Sequence, residues 1–144
     1  MILRSPWCLP VLCLLAACSG ASGDHDAAAR AFADEDFTAA RVHLAAALSD
    51  NPGDPELLEL LARTRLALGE YDATIATLDR LAQQRSLPKD AALRYAEAEL
   101  WRGNPKAALE RLGEDRSAPA WRIRALAATR LGDDAGAVAA YAAG

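Results

Sequence analysis

The stretch Leu68-Gly69-Glu70-Tyr71 decides the fold, because it places a glycine between two segments whose apolar residues recur at helical spacing. A glycine there can adopt the left-handed conformation that ends one helix and begins a tight turn. Comparable stretches occur at three other places, in Asp34-Glu35-Asp36-Phe37, Arg102-Gly103-Asn104-Pro105 and Leu131-Gly132-Asp133-Asp134. The pattern predicts a series of helix-turn-helix units, and no alternating run is long enough to predict a strand.

The turn positions recur at a regular interval. Glu35 and Gly69 are 34 residues apart, Gly69 and Gly103 are also 34 apart, and Gly132 follows Gly103 after 29. Such a period indicates stacked helical repeats. In these motifs and this period the chain resembles the tetratricopeptide family over nearly all of residues 24–144, most strongly in the second unit. The resemblance implies an all-α fold: a right-handed, tetratricopeptide-like α-solenoid of about four helix-turn-helix repeats, the last one incomplete.

The residues around each turn suit two closely packed helices. An aromatic side chain two positions after the turn residue, Phe37 or Tyr71, can pack back over the turn. Three positions further on, each unit has a small residue that lets its helices cross closely, namely Ala40, Thr74, Ala108 and Ala137. Four positions after that, a large residue is expected to fill the space between helices, namely Leu44, Leu78, Leu112 and Tyr141.

Several helix starts carry capping signals. Asp54-Pro55-Glu56 offers a cap, a proline at the first helical position and an acid in the first turn. Asn104-Pro105 is expected to do the same, and Ser117 is expected to cap the helix that carries Trp121, at the position of the family's tryptophan. We expect helices at 24–34, 37–49, 55–68, 71–84, 89–102, 106–112, 118–131 and 135–143.

The chain departs from the family pattern in three ways. Glu35 replaces the turn glycine of the first unit, and Pro105 and Asp134 stand where an aromatic residue is usual. The third unit is short, so we expect its second helix to lose about a turn and the curvature to change there. Residues 135–144 carry no charge, whereas solenoids usually close with a polar outer face. Either this face meets a partner, or the chain is the front piece of a longer repeat protein.

The N-terminus predicts export. Arg4 precedes an apolar run at residues 7–17, and these 11 residues are too few for a membrane-spanning helix, which needs roughly 20. The run ends in Leu15-Ala16-Ala17-Cys18, which resembles the lipobox of bacterial lipoproteins, where the cysteine is lipidated and becomes the new N-terminus. A plain secretory signal, cut so that Cys18 is lost, is the alternative.

The expected domains are a lipoprotein signal peptide at 1–17, the lipidated Cys18 with a flexible tether at 18–23, and the repeat domain at 24–144. The lipoprotein resemblance, with Ser19 after the cysteine, implies a lipid anchor in the bacterial cell envelope, in the outer membrane and facing the periplasm. All three cysteines lie in the first 18 residues, so the repeats cannot contain a disulfide framework or a cysteine zinc site.

We expect no catalytic residue, metal site or cofactor. Neighbouring residues in Asp24-His25-Asp26 point in different directions on a helix, and so do Glu97 and Glu99, two positions apart. His43 is expected to be a surface residue. No glycine-rich phosphate loop, nucleophile turn or zinc-protease motif is present in the sequence.

The charge argues against nucleic-acid binding. The net charge is −4, and loss of the signal with Arg4 would make it −5. A nucleic-acid-binding protein needs a basic stripe to neutralise phosphates, and here the charges of both signs are scattered.

The tetratricopeptide resemblance implies a protein-binding groove lined by the first helix of each pair. Carrying the family's groove positions across gives His25, Phe32, Glu59, Arg63, Leu66, Glu97, Leu100, Trp101, Arg122, Leu126 and Arg130. A mixed-charge surface with one large aromatic suits an extended peptide or another helix. Trp101 is the expected anchor, because aromatic and arginine side chains dominate interfaces. Packing between repeats is the alternative role for Trp101.

These expectations lead to two functional hypotheses. The first is a membrane-anchored scaffold or adaptor of the bacterial cell envelope that binds protein or peptide partners through the groove. The second is an N-terminal accessory domain of a larger tetratricopeptide protein that serves an envelope enzyme, a secretion machine or a polysaccharide-export machine.

Overall fold

Eight α-helices follow one another in a computed structural model that describes residues 20–144. They are α1 (Gly20–Ala33), α2 (Phe37–Asp50), α3 (Pro55–Ala67), α4 (Tyr71–Gln84), α5 (Ala91–Trp101), α6 (Pro105–Leu112), α7 (Ala118–Leu131) and α8 (Asp134–Ala143). No strand occurs within these residues. The predicted signal peptide, Cys18 and Ser19 lie outside the described residues.

The helices pack as four consecutive hairpins. α1 packs on α2, α3 on α4, α5 on α6 and α7 on α8, and the second helix of each hairpin then packs on the first helix of the next. Odd-numbered helices also contact the odd-numbered helices of neighbouring hairpins, whereas the described even-numbered helices do not contact one another. The odd helices therefore lie on the inner side of a curved stack. This arrangement confirms the predicted all-α solenoid of helix-turn-helix repeats.

The turn inside each hairpin is built in the same way. The backbone is left-handed at the four predicted turn positions, with φ of 60° at Glu35, 74° at Gly69, 95° at Gly103 and 75° at Gly132. The next residue's amide closes each turn by donating to the carbonyl five residues earlier, as from Glu70 to Arg65 over 2.9 Å. Glu35 thus adopts a left-handed backbone conformation that is energetically unfavourable for a residue other than glycine.

Small residues hold the paired helices close together. The four predicted crossing residues, Ala40, Thr74, Ala108 and Ala137, are buried. The odd helices carry four fully buried alanines, each seven positions before a turn residue: Ala28, Ala62, Ala96 and Ala125. The predicted space-filling leucines at 44, 78 and 112 are buried as well. Tyr141 is the exception: its side chain is 58% exposed, because no described helix covers the far side of α8.

Two of the three predicted caps are confirmed. The Asp54 carboxylate accepts from the amides of Glu56 and Leu57 at 2.9 and 3.2 Å, and the Ser117 hydroxyl accepts from the Ala120 amide at 3.4 Å. The prediction that the Asn104 side chain caps α6 is wrong: this side chain makes no capping hydrogen bond, although α6 does begin at the next residue.

The Asn104 amide is directed towards a buried carboxylate. Its Nδ2 donates to Glu99 Oε2 at 3.2 Å, and Arg102 Nε lies 2.9 Å from the same oxygen. Glu99 is only 5% exposed, and a buried carboxylate without such partners is costly. The Asn104 side chain therefore forms a hydrogen bond with the buried Glu99 carboxylate and does not cap α6.

The predicted tether is shorter than expected, because α1 begins at Gly20 and residues 20–23 belong to it. Residues 20–23 contain no proline, so the helix can extend about one turn further towards the N-terminus than predicted. His43 on α2 contacts this helix, with Nδ1 at 3.2 Å from Asp24 Oδ1, a long-range pair that helical spacing within α2 does not reveal.

The third hairpin is the irregular one, as predicted. α6 has 8 residues where α2 and α4 have 14, a loss of more than one turn. Gly113, with φ of 49°, ends it. With α6 this short, α7 packs on α5 more extensively than the earlier odd helices pack on each other.

Tyr95 joins the second hairpin to the third. Its ring is 4% exposed, its hydroxyl donates to Asp79 Oδ1 at 2.7 Å, and the Arg111 guanidinium lies 4.4 Å from the ring centroid. Burial and the neighbouring Asp79 carboxylate raise the pKa of Tyr95 well above its ordinary value, so the phenol stays protonated. The contact thereby links α4, α5 and α6.

The left-handed turns predict opposite effects of two substitutions. Gly103→Ala should lower the free energy of unfolding by about 1 kcal/mol, since the left-handed conformation costs a residue with a side chain about 1–2 kcal/mol and the stiffer unfolded chain offsets only part of that. Glu35→Gly should raise it by up to about 1 kcal/mol. Urea denaturation measures both, and changes of the same sign would contradict this account of the turns.

Candidate protein-binding groove

The odd helices α1, α3, α5 and α7, which form the inner surface, carry ten predicted groove residues that are exposed or half-buried, while the eleventh, Leu100, is buried. Arg63, Trp101, Arg122 and Arg130 are exposed on this surface. The residues that lie there half-buried are His25, Phe32, Glu59, Leu66, Glu97 and Leu126. The helix-to-helix contacts of the odd helices make this surface continuous from the first hairpin to the last.

Leu100 is a correction to the predicted groove. Its side chain is 1% exposed and packs in a core cluster with Ala96, Leu112 and Ile123. The close approach of α7 to α5 in the short third unit covers this position, whereas Leu66, its equivalent one unit earlier, stays half-buried. Leu100 therefore stabilises the stack and is not available to a ligand.

Trp101, the next residue, points outward and is 46% exposed. The Arg130 guanidinium on α7 lies 4.5 Å from the centroid of the Trp101 ring. A cation in this position is attracted to the electron-rich face of the ring. The pair thus ties the ends of two odd helices together and still leaves nearly half of the tryptophan open to solvent.

A second pair of the same kind lies at the other end of the groove. The Arg63 guanidinium on α3 lies 4.6 Å from the centroid of the Phe32 ring on α1. Phe32 also meets Phe37 of α2 edge-on, with ring centroids 5.4 Å apart. In both pairs the aromatic residue comes from one hairpin and the arginine from the next.

The two acidic groove residues already have basic neighbours. Glu97 on α5 lies 3.7 Å from Arg122 on α7, and Glu59 on α3 is bonded to Arg85. Arg85 was not predicted to lie near the groove. It is the residue that follows the last turn of α4, outside the recurring positions of the repeat. Only the packing of α4 on α3 brings it to Glu59, so the sequence offers no signal for it.

No group of three or more histidine, cysteine or acidic residues within 20–144 is placed to hold a metal ion. Glu97 and Glu99 face different partners, Arg122 and Arg102 respectively. No helix in the described part of the chain is long and apolar enough to cross a membrane.

Comparison with known proteins agrees with this geometry. The family model of the tetratricopeptide repeat matches residues 31–88, from the end of α1 through α4. Residues 31–88 of the chain thus match the tetratricopeptide repeat. The match includes the whole second unit, where the sequence resemblance is strongest. Repeats of this family support a role as a protein–protein interaction scaffold.

A solved structure shows the same fold over most of the repeats. The crystal structure of MamA protein superposes with a TM-score of 0.70 at 19% sequence identity, over 86% of this chain and 70% of that one. At this identity the likeness concerns the fold alone. No curated protein matches the sequence.

The neighbours Leu100 and Trp101 predict a sharp contrast in stability. Leu100→Ala should lower the free energy of unfolding by about 2–5 kcal/mol, because it opens a cavity in the core. Trp101→Ala should cost about 1 kcal/mol, mostly from the lost contact with Arg130. Thermal and urea denaturation of the two variants check this. A Trp101→Ala variant that unfolds would place this tryptophan in the core and remove it from the groove.

Proposed function

We propose that this tetratricopeptide-repeat protein is a lipid-anchored scaffold of the bacterial cell envelope, which binds protein or peptide partners through the groove. The observation that carries the binding role is the continuous odd-helix surface, on which Trp101 and three arginines remain exposed. Exposed aromatic and arginine side chains are the residues that contribute most at protein interfaces.

The lipid anchor is supported by Leu15-Ala16-Ala17-Cys18 at the end of a short apolar run. Attachment would be stable, because each buried CH₂ group contributes about 0.8 kcal/mol and a lipidated cysteine carries several acyl chains. Since α1 begins at Gly20, two residues after Cys18, the first hairpin would be held within about 10 Å of the anchor point. Such a short connection would hold the groove beside the membrane surface. Ser19 after the cysteine favours an anchor in the outer membrane, with the groove facing the periplasm.

The anchor is tested by removing its thiol. Cys18→Ala should abolish incorporation of radiolabelled palmitate in bacterial cells and move the protein out of the membrane fraction. Cys13→Ala is the matched control, since it removes a cysteine from the same apolar run and should leave labelling and membrane association intact. A Cys18→Ala variant that stays in the membrane and keeps its label would refute the lipoprotein assignment.

The binding role is tested by site-specific photo-crosslinking in intact cells. A photoreactive amino acid at Arg122, exposed on the inner surface, should yield discrete crosslinked protein bands. The same amino acid at Ala82, exposed on α4, is the control and should yield fewer bands or different ones. Identical patterns from both positions, or no bands from Arg122, would count against the groove as the binding surface.

A further inference from the structure

We propose that two copies of this chain associate through α8, in a two-fold contact that packs Val138 of one copy on Val138 of the other. The surface concerned, called the α8 face, consists of Ala135, Val138, Tyr141 and Ala142, all of which are exposed. It belongs to an even-numbered helix and not to the groove. The inference therefore depends neither on the binding role nor on the lipid anchor proposed above.

The two large residues of the α8 face stand at positions that are covered elsewhere in the stack. Val138 and Tyr141 follow the turn residue Gly132 by six and nine positions. The residues at the same positions are Ile75 and Leu78 on α4, and Leu109 and Leu112 on α6. The α4 pair belongs to a core cluster shared with α5, and the α6 pair to one shared with α7. Val138 and Tyr141 are instead 70% and 58% exposed, because α8 contacts α7 alone among the helices of residues 20–144.

The α1 helix of a second copy is unsuited to cover the α8 face. In the second hairpin, α3 packs on α2 with leucines at 57, 58 and 61, which share a core cluster with the leucines of α2. At the same distances from its own turn residue, α1 has Gly23, Asp24 and Ala27. Gly23 and Ala27 offer little apolar surface, and Asp24 is charged. A head-to-tail stack of copies would press this carboxylate against an apolar face, which is costly.

The charge of α8 suits contact with an identical face. In a two-fold contact each residue meets the same surface of the other copy, so a charge near the axis meets its own sign. Asp134 is the only charged residue of α8. If antiparallel helices cross at Val138, the two Asp134 residues lie four positions on either side of the axis, about 12 Å apart at 1.5 Å per residue. This separation exceeds the Debye length of about 8 Å at physiological salt, so their repulsion is weak.

The shape of the α8 face is also complementary to itself. In the same crossing, Tyr141 lies three positions after Val138 and meets Ala135 of the other copy, three positions before it. A large residue opposite a small one lets two packed helices interdigitate. Tyrosine is also one of the residues enriched in protein interfaces. The contact therefore covers both large residues of the α8 face at once.

Cysteine crosslinking tests which surfaces meet. Val138→Cys, treated with a short bis-maleimide in intact bacteria, should give a band of twice the mass of the chain on a reducing gel. Val42→Cys is the matched control, because Val42 is a 60% exposed valine on α2 and lies outside the contact. It should give no more of this band than the parent protein, which measures any crosslinking through Cys8, Cys13 or Cys18.

Charge substitutions test the two-fold contact in the whole protein, purified in mild detergent and studied by sedimentation velocity. The parent protein should form a dimer. Val138→Glu should raise the dissociation constant of the dimer by at least about tenfold, because two carboxylates then meet at the axis, whereas Val42→Glu should leave it unchanged. Mixing Val138→Glu with Val138→Lys should restore the dimer, because the mixed pair places opposite charges together. Melting temperatures within about 5 °C of the parent protein show that each variant is folded.

Four results would each overturn the proposal. They are a parent protein that is monomeric at every concentration measured, no crosslinked dimer from Val138→Cys, equal effects of glutamate at Val138 and Val42, and no recovery in the mixed sample. The last result would show that Val138 meets a different surface, such as that of a foreign protein. The crosslinks from Arg122 and the palmitate label at Cys18 are measured separately, so the dimer can be rejected while the proposed function stands.

Discussion

The left-handed turn between the two helices of a hairpin is the constraint on which the rest of the structure depends. At Glu35, Gly69, Gly103 and Gly132 the same backbone conformation reverses the chain, and an amide-to-carbonyl hydrogen bond five residues back closes the turn. The reversal lays the second helix against the first, where pairs of small buried residues allow close contact. Each hairpin then covers its remaining apolar face with the first helix of the next, and the odd helices come together on the inner surface.

The inner surface owes its chemistry to contacts between hairpins. An aromatic residue of one unit supports an arginine of the next at Phe32 with Arg63 and again at Trp101 with Arg130, while Glu97 meets Arg122 in the same manner. These contacts stabilise the stack and at the same time determine which charges remain open to a ligand. Within residues 20–144, no carboxylate lies within salt-bridge distance of the stacked Arg63 and Arg130.

Predictions that depended on neighbouring residues were confirmed, whereas those that depended on contacts between distant residues were wrong or could not be made. The turn residues, the helix pairs and the Asp54 and Ser117 caps were predictable, because each depends on residues within one or two turns of helix. The assignment of Leu100 to the groove was wrong, since its burial depends on how closely α7 approaches α5. The role of Asn104 was wrong for a similar reason, because the amide serves the buried Glu99. Arg85 and the pairing of His43 with Asp24 carried no sequence signal.

The sequence by itself determined that this protein is a stack of helix-turn-helix repeats, since glycine conformation, helix capping and apolar periodicity act over a few residues and recur at intervals of 34, 34 and 29 residues. The proposed lipid anchor rests on the sequence alone, on the residues that end at Cys18. The tertiary structure alone decided which groove residues are exposed, which charges are neutralised and which arginines are stacked. Those properties arise between side chains about 25 to 31 residues apart on different hairpins, where the distance depends on the packing of whole helices and not on any local preference.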